Sequence, residues 1–207
     1  MIKSISFSEE EIISSIINLH CKTNIELDAT YSKGNFYKGN LIKPIYKFDL
    51  YPQIEGVLEA NAENIPLESE SITTAMFDPP FLATKGKSLS INNGSNKINK
   101  RFGVYPTEKE LHRFYVNALK EHFRLLKKDG ILIFKCQDKV SSGIQYFSHN
   151  FIIQEAIKIG FYPKDMFILL AKNRIVADWQ LKNQKNARKF HSYFLVLQKC
   201  KKIVQYI

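Results

Sequence analysis

The sequence predicts an α/β fold with a mostly parallel sheet closed by one antiparallel pair at its end. Short apolar or β-branched runs alternate with stretches of helical periodicity along most of the chain. One run, "ILIFKC" from Ile131 to Cys136, is almost continuously apolar at strand length, as expected of a strand covered on both faces. The last two apolar runs, "DMFILLAKN" and "FHSYFLVLQK", are joined by the polar segment Arg174 to Lys189, so they read as an antiparallel pair.

Taken in order, Ser8 before Glu9, Glu10 and Glu11 is an N-cap with acids in the first turn, and Ile12, Ile13, Ile16 and Ile17 follow at helical spacing. "NIELDA" is a short strand, and "YSKGNFYKG" is a loop carrying Gly34 and Gly39. "PIYKFDLYP" is a strand ending at Asp49, and "GVLEANAENIPLES" is another that stops before Pro66. "SITTAMF" is the fourth, halted by Pro79 and Pro80, which cannot donate to a sheet ladder. Thr107 with Glu110 is a capping box, and Leu111, Phe114, Tyr115, Ala118, Leu119, His122 and Leu126 form one helical face that Gly130 is expected to close. A last helix around Asn150 to Ile159 ends at Gly160.

The chain of 207 residues is read as one domain, 1–207, with no separate recognition domain. An apolar content of 44% and a charged content of 24% argue against disorder. The net charge of +10 points to a polyanionic partner, nucleic acid first, although a lysine-rich composition alone would also produce it. Cys21, Cys136 and Cys200 form no metal or disulfide pattern. The start of the chain carries acids before its apolar stretch, the reverse of a secretory leader, and no run has the apolar length of a membrane span. A cytoplasmic protein without a metal is expected.

In a parallel sheet, ligands lie beyond the carboxyl ends of the strands, where Asp28, Asp49, Asn61 and Asp78 fall. The tetrapeptide Asp78-Pro79-Pro80-Phe81 is the least accidental feature there. It resembles the Asp/Asn/Ser-Pro-Pro-aromatic motif of the S-adenosylmethionine-dependent amino-group methyltransferases, which act on adenine N6 or cytosine N4. An exocyclic amine is a poor nucleophile, because its lone pair is delocalised into the ring, and acceptors for its two hydrogens turn that lone pair towards the methyl group. By this resemblance Asp78 supplies a side-chain acceptor, Pro79 its carbonyl, Pro80 rigidity, and Phe81 a face for a base taken out of its stack.

The resemblance implies a Rossmann-like class I methyltransferase with a mostly parallel seven-stranded sheet, a terminal antiparallel hairpin and helices on both faces. It places S-adenosylmethionine against Asp28, which would accept from the methionyl ammonium, and Gly34, where the backbone could approach. Asp49 would take the ribose, Asn61 and Ala62 the adenine, and Asp78 would border the methyl group. "NAENIP" stands where relatives commonly read Asp-Ala-x-x-Leu-Pro, and the first loop lacks their glycine cluster. "LLKKDG" resembles the end of their helix before the fifth strand. Lys135, Gln137 and Asp138 follow at a strand end, where they could line the pocket, with a solvated edge as the default reading.

Two basic segments flank the motif and are expected to hold DNA: 82–106, with Lys85, Lys87, Lys97, Lys100 and Arg101, and 171–190, with Arg174, Lys185, Arg188 and Lys189. Asp at the first motif position favours adenine N6. Cytosine N4, adenine N6 in RNA, and a catalytically silent nucleic-acid-binding subunit stay open.

Overall fold

A computed structural model describes residues 1–81, 83, 105–141, 143–172 and 184–204. In chain order its elements are β1 (Ile5–Ser6), α1 (Glu9–His20), β2 (Leu27–Asp28), β3 (Tyr46–Asp49), β4 (Leu58–Glu59), β5 (Ile72–Phe77), α2 (Glu108–Leu125), β6 (Leu126–Cys136), β7 (Lys139–Ser141), β8 (Ile144–Tyr146), α3 (Ser148–Ile159), β9 (Phe161–Leu170) and β10 (His191–Lys199). The main sheet runs β1-β9-β10-β6-β5-β2-β3-β4, and β7 pairs with β8 separately. Strands β2 to β6 are mutually parallel, whereas β10 is antiparallel to both β6 and β9. The sheet has eight strands where seven were expected, because Ile5–Ser6 adds a parallel edge to β9.

Apolar alternation along the central strands feeds two cores, one on each face of the sheet. On the first, Ile12, Ile13 and Ile16 of α1 pack with Met76, Ile131, Ile133, Phe194 and Val196. Each fully buried isoleucine contributes roughly 2 kcal/mol, which fixes a helix of 12 residues that would be marginal alone. The opposite face packs Leu111, Phe114, Ala118 and Leu119 of α2 and Ile152 and Ala156 of α3 against Phe77, Phe134, Leu195 and Leu197.

Helix α2 starts at the expected cap, where the Thr107 hydroxyl accepts from the Glu110 N–H at 3.2 Å. It does not run to Gly130: Leu126 already has extended backbone and opens β6. Leu126 pairs with Ile72 and Ile131 with Thr74, so residues 127–130 form a bulge within the strand, and Asp129 takes a positive φ of 65° there. Gly160 does end α3, at φ 117°. Pro163 sits inside β9 at the register shift opposite Val196 and Leu197, where a missing N–H is tolerated.

No α-helix lies between β2 and β5 among the described residues, although three crossovers occur there. Loops cover the sheet instead. Tyr31 and Tyr37 stack at 5.4 Å and belong to the α1-side core. The β4–β5 connection is held down by α2: Glu121 accepts the Ile65 N–H at 2.7 Å, and Arg124, paired with Glu121 at 2.6 Å, donates to the Leu67 carbonyl at 2.9 Å. With ladder and clamp both drawn from α2 and the central strands, the carboxyl ends of β2, β3 and β5 come to one side of the molecule.

Candidate active site

Strand β5 delivers Asp78 next to the end of β2. The Asp78 N–H donates to the Thr30 hydroxyl at 2.8 Å, and Thr30 in turn donates to Asp28 Oδ1 from its N–H at 2.9 Å and from its hydroxyl at 3.3 Å. Tyr37 donates to Asp28 Oδ2 at 2.9 Å. Burial pushes the Asp28 carboxyl up to about 7; these hydrogen bonds oppose the rise and the Asp78 charge adds to it.

Asp78 is held differently. Its Oδ2 lies 3.5 Å from Lys135 Nζ, at the outer limit of a hydrogen bond, while its Oδ1 is sealed and has no partner among the described residues. Burial raises this carboxyl above its ordinary range; Lys135 draws it back down and Glu9 pushes it further up. Beyond Asp78 the chain is pinned at three points. Tyr115 donates to the Pro80 carbonyl at 2.7 Å, Lys139, itself 2.9 Å from Glu108, donates to the Phe81 carbonyl, and Ala83 bridges to Tyr105. Pro79 is buried, and Pro80 and Phe81 are half-buried. The motif is thus a rigid shelf with one unsatisfied carboxylate oxygen.

The other strand-end residues are engaged within the chain. Asp49 accepts from the Ser32 N–H and the Tyr51 N–H, each at 2.8 Å, tying the loops after β2 and β3 together. Asn61 is exposed, and its Oδ1 accepts from the Glu63 N–H at 2.9 Å; Ala62 is buried. Gly34 sits at φ 64°, and a side chain there would meet the Tyr31 hydroxyl at 2.5 Å. Its turn folds Tyr37 back onto Asp28.

Lys135 is not on a solvated edge, as the sequence suggested, but 9% exposed, with its ammonium 2.7 Å from Glu9 and 3.5 Å from Asp78. A lysine within "ILIFKC" could have revealed this, since an ammonium on a covered strand requires a carboxylate. Asp138 is also buried, 2.8 Å from His149 Nδ1 and 3.4 Å from the Tyr193 hydroxyl, and His149 stacks on Tyr193 at 4.4 Å.

Of the basic residues, Lys85, Lys87, Lys97, Lys100, Arg101 and Arg174 lie outside the described residues. Lys185 is exposed, and Arg188 and Lys189 are half-buried. They precede β10, whose start pairs beside the carboxyl end of β6 through Tyr193 and Cys136, so this segment enters the sheet on the side of Asp78. No helix among the described residues is long and apolar enough to cross a membrane.

No protein-family model and no curated protein matches the chain. Solved structures do. A SAM-dependent methyltransferase, possible histamine N-methyltransferase, from Thermotoga maritima is 16% identical, with 93% of this chain and 90% of that chain covered and a TM-score of 0.53. A candidate sarcosine dimethylglycine methyltransferase from Galdieria sulphuraria is 12% identical over 94% and 86% of the two chains, with a TM-score of 0.55. A candidate DNA modification methylase from Thermus thermophilus, complexed with S-adenosyl-L-methionine, is 16% identical with a TM-score of 0.45. The match covers 71% of this chain and 54% of that one, so the chain spans about half its length. The first two likenesses show that the fold is the Rossmann-like α/β fold of class I methyltransferases.

Proposed function

We propose that this chain transfers the methyl group of S-adenosylmethionine to an exocyclic amine of a nucleic-acid base, the N6 of adenine in DNA. The observation that supports it is the Asp78 carboxylate, part-exposed at the end of β5 beside Lys135 and followed by two prolines and an aromatic ring. The Asp78 carboxylate would take one amine hydrogen, the Pro79 carbonyl would take the second, and Phe81 would stack on the base. Tyr115 and Lys139 hold the shelf, so the acceptors need not reorganise as the reaction proceeds.

The residues present fit the cofactor. Asp28 and Asp78 are two carboxyls at adjoining strand ends, each raised by burial, and a ligand with an ammonium and a sulfonium would neutralise the charge they carry. When bound, that cofactor supplies an electrophilic methyl group. Asp49, Asn61 and Ala62 line the neighbouring ends for its ribose and adenine, next to the turn at Gly34. The basic residues named above would carry the phosphates.

Labelled methyl transfer to unmethylated duplex DNA tests the reading. Wild type incorporates label, Asp78→Ala loses at least a hundredfold, and incorporation falls steeply with added salt. Equal labelling by both proteins would refute the site, and a strong preference for RNA or for cytosine would replace the substrate. A second reading, a silent nucleic-acid-binding subunit, is favoured by the internal bonds that already occupy Asp28, Asp49 and Asn61. Calorimetry bears on the choice, because tight binding of S-adenosylmethionine counts heavily against a silent subunit.

A further inference from the structure

We propose that Lys135 is a positioning residue: steadied by Glu9, its ammonium holds Oδ2 of Asp78 and so keeps that carboxylate in place as the acceptor for the amine. The inference rests on the methyl-transfer reading above and assigns a role to two residues outside the Pro-Pro motif.

Lys135 follows Phe134 on a central strand flanked by β5 and β10. A methionine there would pack without an electrostatic cost, whereas a buried ammonium requires carboxylate partners. Two are present, at unequal distances: Glu9 at 2.7 Å and Asp78 at 3.5 Å. The rings of Phe36, 4.8 Å away, and Phe194, 5.6 Å away, flank the ammonium and narrow its freedom. Glu9 is the first residue of α1, a helix start held by the Ser8 cap, which accepts the Glu11 N–H at 3.2 Å, and by Glu10, which accepts the Asn40 N–H at 2.8 Å. The lysine is therefore clamped on one side and reaches Asp78 on the other.

The groups whose charge acts on Asp78, or on which its charge acts, come from every neighbouring element: Glu9 from α1, Asp28 from β2, Tyr37 from the turn after it, Lys135 and Cys136 from β6, and Tyr115 from α2. Lys135 is the cation among them. Without it, the pH at which this carboxylate takes up a proton, and so loses an acceptor oxygen, rises. Glu9 acts in the opposite sense, because it shares the ammonium.

The two substitutions therefore have opposite expected signs. Lys135→Met moves the acid limb of the methyl-transfer pH profile up by about one unit or more, and Glu9→Gln moves it down. Lys135→Arg, which keeps the charge, restores the wild-type limb in part. A merely structural lysine would lower the thermal midpoint and leave the limb in place. Carboxyl NMR titration of Asp78 in the wild type and these three variants gives the same ordering without any turnover, and Lys135→Gln substitutes if the methionine variant does not fold. An unmoved Asp78 titration in the charge-removing variant, Lys135→Met or Lys135→Gln, or a shift of the same sign in Glu9→Gln, overturns the proposal. Absence of methyl transfer by the wild type with a normal ordering of titrations would instead overturn the methyl-transfer reading alone.

Discussion

Asp28 and Asp78 sit one residue beyond or at the end of adjoining strands, yet they are built for different tasks. Asp28 accepts hydrogen bonds on both oxygens and titrates near 7, so at neutral pH it is poised between its forms. A bound ammonium favours the charged form. Affinity for S-adenosylmethionine is therefore expected to rise with pH through 7, with release of about one proton on binding at pH 6. Calorimetry in buffers of different ionisation enthalpy measures that proton, and Asp28→Asn should abolish it. Asp78 and its prolines were legible in the sequence because composition rarely places such a tetrapeptide after a strand. Lys135 was legible only in part: its misfit in an apolar run was visible, but its partner Glu9 lies 126 positions away, beyond any local pattern.

At the scale of elements, α2 is the platform of the site. The same helix packs under β5, clamps the β4–β5 connection through Glu121 and Arg124, and carries the Tyr115 hydroxyl to the Pro80 carbonyl. Tyr115→Phe keeps the packing and removes that bond. It should cost about 1 kcal/mol, lowering the thermal midpoint by roughly 2–4 °C, while methyl transfer falls further than cofactor binding does. Differential scanning calorimetry and single-turnover rates measure the two effects. The cap at Thr107, the apolar face of α2 and the closing strands were readable from period and cap chemistry. Its carboxyl end was not, because "LLKKDG" has the composition of a helix terminus while the pairing of Leu126 with Ile72 draws the chain early into the sheet. Nor did periodicity reveal that loops replace helices between β2 and β5, since a loop that packs through Tyr31 and Tyr37 has no period to detect.

For the whole molecule, two buried groups offset each other. His122, sealed beneath Phe77 with its Nδ1 2.7 Å from the Ala118 carbonyl, is lowered from 6.5 to about 4 by burial. Its contribution is present above 6.5 and is lost as pH falls through about 4. Asp28, raised from 3.8 to about 7, contributes in the other sense: its share is present below 3.8 and is lost as pH rises through about 7. Between about pH 4 and 6.5 the folded state holds the Asp28 proton and the unfolded state the His122 proton, so this pair leaves stability flat. His122→Phe should make stability rise as pH falls, and Asp28→Asn should make it fall, each by roughly 1.4 kcal/mol per unit. Urea midpoints across that range decide it. The helix-free half of the sheet has a further consequence. Strands β2 and β4 are two residues each, β2 covered by loops and β4 exposed at the sheet edge, whereas β5, β6 and β10 lie under helices on both faces. Amides of the first group should open to deuterium long before those of the second, so the molecule breathes on the β2–β4 side of the site and stays shut on the β5–β6 side.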